Sequence, residues 1–117
     1  MNARGEVTFR TPTADDPVLQ EIVRRLRETY RPLRIYLFGS VARGDAGPDS
    51  DYDICIVVPD DAPRDLREPV VGYKALWGVG FATDVVVWTL REFEKRLHLR
   101  ASFPTTVVQE GKLLYAA

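Results

Sequence analysis

Leu37-Phe38-Gly39-Ser40-Val41-Ala42-Arg43-Gly44-Asp45-Ala46-Gly47-Pro48-Asp49-Ser50-Asp51-Tyr52-Asp53-Ile54-Cys55-Ile56-Val57-Val58 is the stretch on which the reading of this chain turns. It leaves one apolar run, passes a glycine-bearing corner, and enters a second run at Asp51 and Asp53. Residues two apart in a strand share a face. If the second strand includes both acids, they project together beside the apolar Ile54 to Val58. Two like charges that close repel, and each loses hydration near a core, at roughly several kcal/mol per desolvated ion. A divalent cation answers both costs, because Mg²⁺ takes one or two carboxylates together with substrate phosphates. The plainer alternative places both acids on a solvated loop end, with the strand starting at Ile54.

Working outward, Arg34 to Phe38 reads as the first strand and Tyr52 to Val58 as the second. Gly39 is where the chain must turn, Ser40 to Arg43 form a short helical turn, and Gly44 closes it. Upstream, Asp16-Pro17 is a helix start, with an aspartate cap and proline in the first turn. Val18, Ile22, Leu26 and Tyr30 then recur at helical spacing up to Tyr30. Arg24, Arg25, Arg27 and Arg31 lie on the other side and read as a solvated face rather than a partner patch. Residues 1–16 read as a loose arm, and 17–117 as one domain.

Downstream, Pro63 to Leu76 reads as a second helix that Pro69 would kink or interrupt and that Gly72, Gly78 and Gly80 weaken further. Leu66, Val70, Tyr73 and Trp77 fall near one side of it. Gly78-Val79-Gly80 is a turn. Thr83 to Trp88 is a third strand, opened by Asp84. Thr89 and Glu92 make a capping box for a further helix. A short closing helix around Thr106 to Gln109 precedes Gly111, and Lys112 to Tyr115 form an edge strand or apolar strip. His98 reads as a surface residue. The order of elements is that of a single α/β or α+β layer.

Composition narrows the field. The chain has 117 residues, 45% hydrophobic and 28% charged, as expected of one soluble domain with a core. A net charge of −1 offers no basic field for an extended nucleic-acid surface. One cysteine and one histidine cannot build a zinc site or an internal disulfide. No apolar run reaches membrane-spanning length and no secretory leader is evident, so a reducing cytoplasm is the expected setting.

Asp51, Asp53 and Asp84 all stand at strand starts. If the second and third strands are neighbours, the three acids converge. A trio of that kind holds two divalent ions in an in-line phosphoryl displacement. Gly39 lets a phosphate approach the backbone, Ser40 offers an amide and a hydroxyl, Arg43 offers a planar fork, and Ser50 can orient Asp51.

Gly39-Ser40, the segment to Ser50, and Asp51-Tyr52-Asp53 resemble the nucleotidyltransferase signature of the DNA polymerase beta superfamily. Phe38 to Ala46 and Ser50 to Ile54 more closely resemble the minimal nucleotidyltransferases. The resemblance implies a small mixed β-sheet with helices packed mainly on one face. It also implies transfer of a nucleoside monophosphate from a nucleoside triphosphate, ATP by preference, with pyrophosphate leaving. Asp51, Asp53 and Asp84 would be the catalytic and metal-binding residues for two Mg²⁺ ions, Asp84 also accepting the proton of the attacking hydroxyl. Gly39 and Ser40 would hold phosphates, with Arg43 and Ser50 beside them. It further implies a helical HEPN-type partner protein, some such pairs being toxin–antitoxin systems in which a toxin tyrosine is modified. A non-catalytic antitoxin or scaffold that masks such a partner is the alternative, and a homo-oligomer is left open. The faces to examine for a partner are Leu113 to Tyr115 and Val70-Tyr73-Trp77.

Overall fold

The computed structural model describes residues 16–47 and 51–117. The elements run α1 (Pro17–Tyr30), β1 (Arg34–Phe38), α2 (Gly39–Arg43), β2 (Tyr52–Val58), a 3₁₀ turn (Arg64–Arg67), α3 (Pro69–Ala75), β3 (Thr83–Thr89), α4 (Leu90–Glu94), α5 (Phe103–Glu110) and β4 (Lys112–Ala116). The arm assigned to residues 1–16 lies outside the described residues apart from Asp16, which serves as the cap of α1. The Asp16 carboxylate accepts hydrogen bonds from the Val18 and Leu19 amides at 2.9 and 3.3 Å.

The four strands form one mixed sheet in the order β3-β2-β1-β4. β1 is antiparallel to both β2 and β4, whereas β2 and β3 are parallel. A parallel neighbour requires a crossover, and the 3₁₀ turn with α3 supplies it. The larger apolar cluster joins Leu19, Ile22, Leu26 and Tyr30 of α1 to Ile35, Leu37, Ile54, Ile56, Val58 and Val85 of the sheet. A smaller one on the alternate strand positions joins Tyr36, Cys55 and Val57 to Phe93 of α4 and Val107 of α5, with Phe38, Trp88 and Phe103 packed against it. β2 is therefore covered on both faces, which is why Ile54 to Val58 is an unbroken apolar run.

Several sequence expectations change here. The helix expected from Pro63 to Leu76 is broken at Glu68, into the 3₁₀ turn and α3. Pro69 has no amide for the ladder and disfavours helical geometry in the residue before it, so α3 restarts with Pro69 in its first turn. Gly72, expected only to weaken this helix, is a packing residue. A β-carbon there would meet the Tyr30 hydroxyl at 2.9 Å and the Val85 side chain at 3.1 Å. The Tyr30 phenol accepts from the Gly72 amide at 2.8 Å and donates to the Glu68 carbonyl at 2.6 Å. Those two groups would pair with each other as the first turn of a standard helix. Here the hydroxyl from α1 engages both, and this fastens α3 to α1.

The arginine side of α1 is only partly solvated. Arg24 pairs with Glu21 and Glu28 at the surface. Glu21, hydrogen-bonded by Arg24 and Arg25, is held down at about 2. Arg25 donates to the Ala75 and Trp77 carbonyls at the end of α3, and Arg27 lies over the Tyr115 ring of β4 at 4.4 Å. α5 is longer than expected because Ser102 caps it, accepting from the Thr105 amide at 3.2 Å. The Thr89 cap forms half a box. Thr89 accepts from the Glu92 amide, while the Glu92 carboxylate turns to Arg96 at 2.8 Å.

Candidate active site

The end of β1, the start of β2 and the start of β3 meet at one edge of the sheet. Phe38 is in register with Asp53, and Asp53 is in register with Asp84. Paired residues of neighbouring strands share a face, so the Asp53 and Asp84 side chains emerge side by side. Strand alternation places them on the face of Cys55, Val57, Val86 and Trp88, beyond the end of the smaller apolar cluster. Asp51 directly precedes β2 and is exposed, so only Asp53 of the Asp51–Asp53 pair lies within the strand.

Gly39 sets the corner. Its φ is +78°, in the left-handed region that side chains rarely adopt, and it opens α2. A β-carbon on it would stand 2.9 Å from the Asp53 Cγ and nearer still to one carboxylate oxygen. The corner backbone and the Asp53 carboxylate therefore touch, and only glycine fits between them. Gly44, φ +84°, closes α2 by donating to the Ser40 and Val41 carbonyls. Ser50 lies outside the described residues.

Burial raises the Asp53 pKa above the ordinary carboxylate range, and the negative charges of Asp84 and then Asp51 raise it further, with Arg43 opposing them. Asp84 and Asp51 thus both lie close enough to act on Asp53. Among the described residues no group of three or more His, Cys, Asp or Glu side chains is gathered tightly enough to hold a metal ion. The donor chemistry nonetheless fits a hard divalent cation. It consists of carboxylate oxygens only, with a repulsion at Asp53 that a cation would relieve. Arg43, at the end of α2, is half-exposed and pairs with Asp45 at 3.2 Å and with Glu110 at 3.9 Å.

A family model described as a nucleotidyltransferase domain matches residues 19–113, from the first turn of α1 to the start of β4. The chain belongs to the nucleotidyltransferase family. A Methanocaldococcus jannaschii protein named as a protein adenylyltransferase is 35% identical over 105 residues, spanning 86% of this chain and 98% of that one. A crystal structure of a toxin–antitoxin with AMP-PNP superimposes with a TM-score of 0.59 at 25% identity, covering 85% of this chain and 73% of that chain. A complex of a tri-AMPylated Shewanella oneidensis HEPN toxin with MNT antitoxin matches with a TM-score of 0.53 at 23% identity, over 86% and 71% of the two chains, a likeness of fold.

In this nucleotidyltransferase the sequence had marked Gly39, Ser40, Arg43, Asp51, Asp53 and Asp84, and all six stand at the same end of the sheet. One residue at that end was missed in this role. The Tyr73 hydroxyl, reaching from α3, donates to Asp84 Oδ1 at 3.1 Å and accepts from the Val85 amide at 3.1 Å. Sequence had placed Tyr73 on an apolar helix side, as part of a face to examine for a partner. His98 is exposed and lies in the loop after α4. No helix among the described residues is long and apolar enough to cross a membrane.

Proposed function

We propose that this nucleotidyltransferase moves a nucleoside monophosphate, AMP from ATP, onto a hydroxyl of a partner protein of the helical HEPN type, releasing pyrophosphate. The observation that carries the reading is the side-by-side register of Asp53 and Asp84 against the Gly39 corner. The substrate class is supported by the adenylyltransferase name of the 35% identical relative and by AMP-PNP in the 25% identical toxin–antitoxin.

In this reading Asp51, Asp53 and Asp84 hold two Mg²⁺ ions. Bound there, the ions would neutralise phosphate charge and stabilise the attacking and leaving oxygens. The protein does the rest by positioning. Gly39 and Ser40 present backbone and hydroxyl to the terminal phosphates, and Arg43 adds positive charge above α2. Asp84, exposed at the rim of β3, takes the proton from the acceptor hydroxyl as its oxygen bonds to the α-phosphorus and the bond to pyrophosphate breaks. The acceptor reaches the site over exposed apolar surface. Val70 is 54% exposed, Trp77 86%, and Leu113 on the β4 edge 55%. That same surface is the basis of a second reading, in which the chain masks its partner without chemistry.

The deciding experiment is transfer of label from α-labelled ATP to a purified helical HEPN-type protein with Mg²⁺. Wild type should label it, and Asp53→Asn should lose at least about a hundredfold, the scale of removing a positioned electrostatic group. Equal labelling by the variant would refute the assignment. Equal neutralisation of the partner by both proteins would favour masking.

A further inference from the structure

We infer that Tyr73 is a positioning residue for Asp84, fixing the third carboxylate for the metal and for the incoming hydroxyl; this rests on the reading of the site given above. Asp84 is exposed on a strand at the margin of the sheet, and its neighbour in register is another carboxylate. Left alone, such a side chain would sample several rotamers in water. The Tyr73 phenol restrains it from the outer edge of β3, where the Val85 amide points away from β2. It accepts from the Val85 amide, the next backbone donor along β3, and donates to Asp84 Oδ1. One hydroxyl therefore ties the carboxylate to the strand that carries it. The donated bond leaves the other carboxylate oxygen and further lone pairs for a cation.

The ring's own placement is secured from behind. α3 is held at its first turn by the Tyr30 hydroxyl and at its last by Arg25, which donates to the Ala75 carbonyl at 3.3 Å. Tyr73 sits between those anchors. Hydrogen-bond partners that orient metal-binding side chains commonly carry ten- to hundredfold in metal affinity.

The test is Mn²⁺ binding to the full chain by titration calorimetry, in the presence of the non-transferable analogue α,β-methylene-ATP. Tyr73→Phe keeps the ring and removes the bridge. Its Mn²⁺ affinity should fall about tenfold, with faster exchange of the Val85 amide hydrogen. Lys74→Gly, at an exposed position of the same helix that takes part in neither anchor, should bind as wild type does. Wild-type affinity in Tyr73→Phe, alongside lost binding in Asp53→Asn, would overturn this inference alone. So would an equal loss in Lys74→Gly, which would make the effect one of helix stability. Failure of wild type to bind Mn²⁺, or undiminished binding by Asp53→Asn, would instead overturn the reading of the site on which the inference rests.

Discussion

Replacing Gly39 by alanine should damage the site far more than it damages the fold. Two costs follow from the structure. The first is backbone strain. At φ +78° an L-residue lies in the left-handed region, at about 1–2 kcal/mol. In a domain of this size each kcal/mol lowers Tm by roughly 4 °C, so strain alone should cost about 4–8 °C. The second cost falls on Asp53. The new β-carbon would stand 2.9 Å from the carboxylate carbon. Ordinary carbon–carbon contact is about 3.5–4.0 Å, so the carboxylate must retreat by roughly 0.6–1.1 Å. Misplacement of a reacting group on the order of 1 Å can cost about a hundredfold in rate. Thermal unfolding and label transfer, measured on the same protein, separate the two. Repeating the substitution in an Asp53→Ala background removes the carboxylate, so the stability cost there should shrink toward the strain component. Transfer by Gly39→Ala within threefold of wild type would refute the argument. So would an identical stability cost in both backgrounds.

Three further outcomes are expected. Gly72→Ala, which on helix propensity alone should stabilise, should destabilise by about 1–3 kcal/mol by overpacking, because the added methyl meets the Tyr30 hydroxyl at 2.9 Å; chemical denaturation reads the sign directly. Asp53 has its pKa raised in the folded state by burial, then by Asp84 and Asp51, so its contribution to stability is present at low pH and lost as pH rises through the folded value. Asp53→Asn in chelator should therefore have a higher Tm than wild type near neutrality and a shrinking advantage toward pH ~4, checked by unfolding scans across that range. Burial pushes the Cys55 thiol up to about 12, so native protein should resist alkylation at neutral pH until it unfolds, as followed by mass spectrometry.

What was legible in the sequence was mostly what neighbouring residues decide among themselves. Asp16-Pro17 fixes the start of α1. Five apolar residues after Asp53 reveal a strand buried on both faces, and Gly39 reveals the corner. The acids of β2 and β3 could be brought together only by assuming that the two strands are neighbours, and their register bears this out. What escaped depends on contacts between distant segments. Gly72 looked like a helix weakness because its partner, the Tyr30 hydroxyl, lies 42 positions away. Arg25 and Arg27 looked solvated because the Trp77 carbonyl and the Tyr115 ring come from other elements. Tyr73 looked like part of an apolar side because a phenol has an apolar ring and a polar end, and spacing along a helix reports only the ring.

The central claim is that the acids at this corner share a cation with a bound nucleotide, and a crystal grown with Mn²⁺ and α,β-methylene-ATP tests it most directly. The expected result is an anomalous manganese peak between the carboxylates of Asp53 and Asp84, with the terminal phosphates against Gly39 and Ser40. Nucleotide bound elsewhere on the chain, or manganese at that corner touching neither carboxylate, would contradict it.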